Sequence, residues 1–371
     1  MKRILLSIIS TFALLNVLQA QQIVINNPTP YVRNEIISIP YQQFTAHFNV
    51  DSIFSVKDKL GKVLPVQLEK LGSPDPVNVM IQIQINPSET IFLHVNKEKS
   101  PKFPSKTYAR YVPERLDDFA WENDVLAFRI YGKALEGRKD DGQGIDYWSK
   151  RTPNLIIDKW YKINDYHKDH GEGMDYYAVG QTLGAGDMGI FLNNQLHYTK
   201  HYRTFKILDN GQLRTTFILN YENEIIDGQN ISFSKTISLD AGSNFNKIII
   251  NMHNQEKGKT PIAIGIAKRK EDKPILKFNK SKGSLTYWEP EDKTNGQSGI
   301  VVIIPKQKIE FINDRPEQAL LSSEIKNGKE FQYYNGAVWN RAGIIVNGEA
   351  WEKAVSEFSN NLKKPLKVQL K

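Results

Sequence analysis

The feature that most limits what this chain can fold into is a series of short segments in which apolar and polar residues alternate. Residues 79–85 read Val-Met-Ile-Gln-Ile-Gln-Ile, and residues 231–239 read Ile-Ser-Phe-Ser-Lys-Thr-Ile-Ser-Leu. Successive side chains of a strand point to opposite faces, so this period predicts strands with one buried face. Similar segments recur from residue 23 to residue 304, with Pro, Gly and Asn between them. We therefore expect a mainly β protein.

These segments fall into two groups, separated by a charged stretch. Residues 97–106 carry two prolines and no periodicity, which is typical of a linker. Short strands before it, including one expected at residues 44–48, predict a small N-terminal β-sandwich domain over residues 21–100. Longer strands after it predict a large twisted sandwich over residues 107–371, with its polar loops on a concave face. The few helical patterns cover residues 156–161 and 347–358.

The N-terminal twenty residues have the pattern of a signal peptide. Lys2 and Arg3 precede an apolar run that ends before Leu18-Gln19-Ala20, and a small residue in this position suits signal peptidase. A retained membrane anchor is the alternative, but a spanning helix needs about 20 apolar residues. The pattern predicts export to the periplasm and no membrane attachment after cleavage. The chain has no cysteine, which excludes disulfides, thiol chemistry and a lipid-attachment site.

The charge distribution argues against nucleic acid as a partner. The formal net charge is +8, and it is nearer +6 without Lys2 and Arg3. The basic residues are spread along the sequence, whereas nucleic-acid-binding proteins cluster theirs in a stripe. A basic exported protein fits an anionic substrate, although solubility alone would also account for a mild positive charge.

Titratable, aromatic and glycine residues are crowded between residues 111 and 189, the composition expected of a small-molecule site. Arg115 and Trp121 lie in an acid-rich turn, and Arg129 and Tyr131 end the strand that follows. Arginine presents a planar fork that suits a carboxylate or sulfate. The neighbouring carboxylates allow three interpretations: metal ligands, acid–base groups or a solvated turn.

A second crowded segment joins Tyr166, His167 and His170 to nearby carboxylates and glycines. It suits a general base with its orienting partner, while a divalent ion is the alternative and surface histidines without a role are another. We expect His167 to be essential, and more so than His170. His167 directly follows Tyr166, and an imidazole can serve as a neutral base near neutral pH without special tuning.

The third segment places Asp146, Trp148 and Lys150 close together, as in an aromatic platform that stacks on a sugar beside a cation that binds its acid group. Packing at the rim of the sandwich would account for the same residues. His201 lies in a later His/Tyr/Arg-rich segment, residues 197–203. We expect the three segments around Arg115, His167 and His201 to converge on one concave face.

These segments resemble a family of exported proteins from polysaccharide-degrading gram-negative bacteria, catalogued as domain of unknown function 4861. The resemblance rests on the block Arg-Leu-Asp-Asp-Phe-Ala-Trp-Glu-Asn-Asp at residues 115–124, on residues 129–132, on Asp146-Tyr147-Trp148, and on residues 166–186. It implies a galactose-mutarotase-like β-supersandwich for the large domain. One activity associated with the family is dehydration of a terminal uronic acid in ulvan-type oligosaccharides, which leaves a 4,5-unsaturated uronate.

The residues agree with that chemistry, because removal of the C5 proton of a uronate requires a neutralised carboxylate, a base and an acid. We expect a carbon–oxygen lyase, most simply a dehydratase; a non-catalytic carbohydrate-binding protein, a polysaccharide lyase and a sugar epimerase or mutarotase are the alternatives. No cofactor is expected, with a divalent cation left open. The predicted catalytic residues are His167, Tyr166, His170 and Tyr131, and the predicted substrate-binding residues are Arg115, Trp121, Arg129, Asp146, Trp148, Lys150 and His201.

Overall fold

The computed structural model describes residues 21–270 and 274–371. The predicted signal peptide, residues 1–20, lies outside the described residues. No helix in the described part of the chain is long and apolar enough to cross a membrane.

The first part of the described chain consists of short strands and one short helix. These elements are β1 (Gln22–Asn26), β2 (Arg33–Pro40), α1 (Tyr41–Phe48), β3 (Ser55–Lys57), β4 (Val66–Glu69), β5 (Asn78–Ile85) and β6 (Thr90–Asn96).

The remainder is almost entirely strand as far as a long C-terminal helix. Its elements are β7 (Thr107–Val112), β8 (Asp118–Asn123), β9 (Ala127–Ile130), β10 (Ile145–Lys150), α2 (Ile157–Ile163), β11 (Gly173–Met174), β12 (Ala185–Leu192), β13 (Gln195–His197), β14 (Thr204–Asn210), β15 (Arg214–Asn220), β16 (Glu224–Ile226), β17 (Gln229–Asp240), β18 (Phe245–Asn254), β19 (Lys259–Ala267), β20 (Ile275–Asn279), β21 (Ser284–Trp288), β22 (Ser298–Ile303), β23 (Glu310–Ile312), β24 (Gln318–Lys326), β25 (Phe331–Trp339), α3 (Gly348–Lys363) and β26 (Lys367–Leu370). Short 3-10 turns occur at Pro113–Arg115, Lys133–Leu135 and Asn340–Ala342.

The small N-terminal unit has two sheets, β26-β1-β6-β3 and β2-β5-β4, around one apolar core. The alternation seen in the sequence places Val79, Ile81, Ile83 and Ile85 of β5 in that core. The chain's last strand closes the first sheet, since Ile23 of β1 pairs with Leu370 of β26. The structure thus brings into the small unit a strand that the sequence prediction had placed in the 107–371 domain.

The prediction of a strand at residues 44–48 is wrong, because these residues form α1. Phe44 and Phe48, four residues apart, lie on one face of that helix and are buried in the small core. A spacing of four fits a helix face, whereas strand burial repeats every two residues. Both predicted helices are confirmed, with α2 and α3 covering residues 157–163 and 348–363.

The large unit is built from antiparallel sheets that share one continuous apolar core. One sheet has the order β11-β10-β9-β8-β7, a second the order β13-β12-β19-β24-β23, and the longest runs β14-β15-β17-β18-β25-β22-β21-β20, with β16 paired to β17. Helix α3 packs Trp351 and Val355 against the outer side of the longest sheet. The predicted fold class, mainly β with a small sandwich and a large supersandwich-type unit, is confirmed.

Candidate functional site

The site lies on one face of the sheet β11-β10-β9-β8-β7. Arg129 of β9 is directly opposite Ala120 of β8 and Asp146 of β10. Residues two apart share a strand face, so Asp118 lies on the same side as Ala120, and Trp148 on the same side as Asp146. Helix α2 and the segment after it cover this face with Trp160, Tyr161 and Tyr166, which form one apolar cluster with Trp148.

Arg129 is the centre of a buried ionic cluster on this face. Its guanidinium contacts the carboxylates of Asp146, Asp175 and Asp118 at 2.5, 3.1 and 3.4 Å. All four side chains are 5% exposed or less. Three carboxylates around one guanidinium leave a formal excess of negative charge in a place with little water, which is costly unless one group takes up a proton.

The carboxyl groups of this cluster respond by holding protons more tightly. Burial, opposed in part by Arg129, raises the pKa of Asp118 from 3.8 to about 6. Burial and then the neighbouring charge of Asp146 raise the pKa of Asp175 well above its usual value. The cluster therefore holds protons to a higher pH than isolated aspartates do, which is a common property of catalytic sites and also of structural ionic networks.

Next to the cluster lie a half-buried arginine, a phenol that is only 4% exposed and an exposed imidazole. Arg115 ends the 3-10 turn Pro113–Arg115, is half-buried, and donates from Nε to the hydroxyl oxygen of Tyr166 at 2.9 Å. Arg129 Nη1 donates to the same oxygen at 3.4 Å. Within the described residues no carboxylate contacts Arg115 at ion-pair distance, so the Nη edge of its guanidinium fork has no acidic partner.

The tautomer of His167 follows from its partner. Nδ1 lies 2.9 Å from the backbone carbonyl oxygen of Asp175, and a carbonyl only accepts hydrogen bonds. Nδ1 therefore carries the proton, and in the neutral ring Nε2 keeps its lone pair. The His167 side chain is 66% exposed, and the centroid of its ring lies 4.7 Å from the centroid of the Tyr166 ring. Among the described residues Nε2 has no hydrogen-bond partner, so His167 presents a basic nitrogen beside a phenol that accepts from two arginines.

Two other predicted catalytic residues lie at the margin of this arrangement. The ring of Tyr131 is under the guanidinium of Arg129, 5.1 Å from its carbon. Burial and then the charge of Asp146 raise the pKa of the Tyr131 phenol well above its usual value, so it keeps its proton. His170 Nε2 contacts Asp165 in a surface turn, at 3.0 Å from Oδ2, and has no contact with the cluster.

The two tryptophans predicted to bind substrate are buried and cannot stack on a sugar in this structure. Trp121 is fully buried on the opposite face of β8, where Nε1 donates to Asn246 in the main core. Trp148 is 1% exposed, because it is stacked against Trp160 and Tyr166. The prediction of a sugar platform at Trp148 is wrong, because Trp148 packs the protein interior, as Trp121 does.

Lys150 is also a structural residue. It is 1% exposed and its ammonium lies 2.9 Å from the carboxylate of Glu122. That carboxylate also accepts the backbone N–H groups of Ile156 and Ile157, where α2 begins. Lys150 therefore neutralises an acid that holds the start of α2 and has no free charge for a substrate.

The predicted convergence holds for two segments and is wrong for the third. Arg115 and His167 meet at Tyr166, but His201 is 6% exposed and its Nε2 contacts Asp141 at 2.7 Å. His201 lines a small cavity with Ile130 and Lys235. Since Ile130 points away from the face that holds Arg129, His201 lies on the other side of the strand.

The residues that sequence reasoning left out of its site are Asp118, Tyr161 and Asp175. The Tyr161 hydroxyl donates to Asp118 at 3.2 Å, and Asp175 contacts both Arg129 and, through its carbonyl, His167. Strand alternation could have placed Asp118 with Arg129. Nothing in the sequence places Asp175, which lies in a loop 46 positions away from Arg129.

The described residues contain no group of three or more His, Asp or Glu side chains arranged to hold a metal ion. Asp118, Asp146 and Asp175 lie together, but they surround the guanidinium of Arg129.

Comparison with known proteins gives one family and a distant structural likeness. The model of the family described as domain of unknown function (DUF4861) matches residues 25–368. A protein of Formosa agariphila named "Uncharacterized protein P7" is 30% identical over 339 residues, which cover 85% of this chain and 84% of that protein.

Among solved structures, one of a protein in glycosyl hydrolase family 38 from Enterococcus faecalis matches with a TM-score of 0.55 and 9% identity, over 95% of this chain and 47% of that one. An α-mannosidase from Enterococcus faecalis V583 matches with a TM-score of 0.45 and 8% identity, over 95% and 46% of the two chains. The chain spans about half the length of these solved structures, and at such identity the first likeness concerns the fold alone.

Proposed function

The chain belongs to the DUF4861 family, and from the arrangement around Arg115 we propose that it eliminates water from a terminal uronic acid of an anionic oligosaccharide, leaving a 4,5-unsaturated uronate. The observation that carries the proposal is an arginine fork without an acidic partner, beside a phenol and an imidazole with a free nitrogen. The match to a protein in a glycosyl hydrolase family supports a carbohydrate-processing role.

Arg115 is the group that receives the uronate carboxylate. A fork of parallel N–H donors matches a carboxylate in shape and charge. Loss of the C5 proton moves negative charge onto that carboxylate, so an arginine already in place stabilises the developing enolate-like state. Arg129 is unsuited to this role, since three carboxylates already surround it and would repel a fourth.

His167 is the base and Tyr166 the acid. Nε2 of His167 takes the C5 proton while Nδ1 stays fixed on the Asp175 carbonyl. When Tyr166 donates its proton, the phenolate that forms already accepts hydrogen bonds from Arg115 and Arg129, which stabilise the charge. Tyr131 is the weaker acid, because burial and Asp146 oppose ionisation of its phenol.

The step balances without a cofactor. The electron pair of the C5–H bond becomes the C4–C5 double bond, the C4–O bond breaks, and the leaving oxygen takes the proton of Tyr166 to depart as water. His167 then holds one proton too many and Tyr166 one too few, and proton exchange with solvent restores both. The step therefore requires no oxidant or reductant.

The test follows absorbance of the unsaturated uronate while the protein is incubated with sulfated and unsulfated uronate oligosaccharides. His167→Ala and Tyr166→Phe should each lower turnover at least about 100-fold. His170→Ala is the matched control, since it removes an imidazole from the same loop but not from the site, and it should leave turnover nearly unchanged. Mass spectrometry should find products lighter by one water.

The other outcomes would each contradict the proposal. A folded His167→Ala protein with full turnover would move the base elsewhere. Binding without an absorbance change would make the chain a carbohydrate-binding module, and conversion without the chromophore would make it an epimerase or mutarotase. Release of a sugar in place of water would identify a polysaccharide lyase that uses the same residues.

A further inference from the structure

Two adjoining clefts in the large unit are lined by lysines and lie on elements that do not contribute to the Arg115 site. One, of about 420 Å³, lies between the β20–β21 turn, the end of β22 and the last turns of α3. The other, of about 570 Å³, lies between β19, β23, β24 and the start of β25. Gln307 and Glu330 line both clefts, so the two form one continuous groove.

The smaller cleft holds an unbalanced positive charge. Lys280, Lys282, Lys306 and Lys363 line it, with Glu330 as its one acidic residue. Within the described residues none of these lysines has a carboxylate at ion-pair distance: Lys282 donates to the Ser356 hydroxyl and Lys363 to the Ser281 carbonyl. Like charges around one cleft repel each other, and an anion bound between them removes that cost.

The larger cleft adds a smaller positive excess, since four lysines line it together with three glutamates. Lys259 is neutralised by Glu324 at 3.1 Å, while Lys308, Lys326 and Lys329 have no ion pair in the described part of the chain, and Glu310 and Glu330 are the other two acids. A single sulfate or phosphate would reach only part of this groove. A chain that carries several anionic groups would neutralise lysines along both clefts at once.

We propose that this groove binds a polyanionic glycan, a chain with sulfate or carboxylate groups, at a place separate from the Arg115 site. A nucleic acid fits less well, because unpaired bases bind by stacking on exposed aromatic rings. Of the three aromatic residues that line the groove, Phe331 and Tyr334 are only 2% and 9% exposed, and their rings support its walls. Phe191 alone is partly exposed, and one ring cannot stack a run of successive bases.

The test measures binding of dextran sulfate by the full chain at low salt, with neutral dextran and a single-stranded oligothymidylate as comparisons. Lys280, Lys306 and Lys308 are exposed and their side chains make no described hydrogen bond or ion pair, so the variant Lys280→Gln/Lys306→Gln/Lys308→Gln should fold normally. Its affinity for dextran sulfate should fall about tenfold, with a shallower dependence on salt, as expected when three surface charge contacts are lost.

The matched control is Lys97→Gln/Lys99→Gln/Lys102→Gln, which removes the same charge from exposed positions outside the groove. An equal loss of affinity in both variants would show that net charge alone attracts the polymer, and would overturn the proposal. Oligothymidylate that binds as tightly as dextran sulfate and displaces it would also overturn it. Because no turnover is measured, failure here leaves the proposed elimination untouched, and the converse holds as well.

Discussion

Replacing Lys150 by Met separates the structural role that the geometry gives this residue from the substrate-binding role expected from the sequence. The Lys150 ammonium lies 2.9 Å from Glu122 Oε2 and 2.6 Å from the Asn123 carbonyl, and both charged side chains are 0% exposed. Removing one member of a buried ion pair leaves the other charge uncompensated, which costs about 3–5 kcal/mol of stability.

The lower end of this range is expected here. Glu122 would keep the N–H groups of Ile156 and Ile157 as hydrogen-bond donors, and these would still stabilise part of its charge. Burial, opposed by Lys150, already raises the pKa of Glu122. Without the ammonium that pKa should rise further, so the variant should lose stability as pH increases and Glu122 ionises.

The assay is equilibrium unfolding in guanidinium chloride, followed by tryptophan fluorescence. Lys159→Met is the control: Lys159 also pairs with a glutamate, Glu172, but its side chain is 56% exposed, so its loss should cost less than about 1 kcal/mol. The double variant Lys150→Met/Glu122→Gln should recover part of the stability, because no buried charge is left unpaired. A Lys150→Met protein that keeps its stability but loses substrate binding would refute this reasoning.

Two further predictions test the cluster and the turn behind it. Burial raises the pKa of Asp118 from 3.8 to about 6. Between these two pH values the folded chain keeps a proton that the unfolded chain releases, so the stability of the fold falls as pH rises. The contribution of this group to that fall is about 3 kcal/mol. Asp118→Asn should remove that part of the slope between pH 4 and pH 7 in unfolding measurements, and an unchanged slope would contradict the assignment. A Cβ added at Gly132 would lie 1.9 Å from the Asp117 carbonyl oxygen, so Gly132→Ala should cost about 3 kcal/mol or more, whereas Gly258→Ala, with open space around it, should have little effect in the same melts.

Strand alternation predicted only one of the three strands that carry the site. It predicted β9, whereas residues 118–123 were interpreted as an acid-rich turn and residues 145–150 as an aromatic platform; the structure shows both to be strands, β8 and β10. In the structure Trp121 is next to Ala120, the register partner of Arg129, so Trp121 and Arg129 point to opposite faces. The choice of Trp121 as a substrate-binding residue rested on composition, and its burial became evident only from the register of β8 in the structure. The period of two carries this information because it fixes the direction of every side chain in a strand.

Contacts between segments that are distant in the chain could not be predicted from the sequence. Strand β26 pairs with β1, although the two lie at opposite ends of the described sequence. Helix α1 forms at a segment whose apolar residues also fit a strand. The position of His201 depends on Asp141, 60 residues away in a loop without periodicity. Such contacts depend on how loops fold over the sheet, and local patterns do not determine them.

The assignment of the two arginines is the step that needed three dimensions. From the sequence, Arg115 and Arg129 were equally good candidates to bind a substrate carboxylate. Acidic residues lie near both, so the sequence did not show which arginine is already neutralised. In the folded chain, Arg129 has three carboxylates within 3.4 Å, while Arg115 has Tyr166 as its hydrogen-bonded partner. A carboxylate that approached Arg129 would meet a net negative environment, whereas one that approached Arg115 would meet a guanidinium that has no carboxylate at ion-pair distance among the described residues. Both arginines donate to Tyr166, with Arg115 at the shorter distance. Because Arg129 is occupied by three carboxylates, Arg115 is the one that we propose binds the substrate.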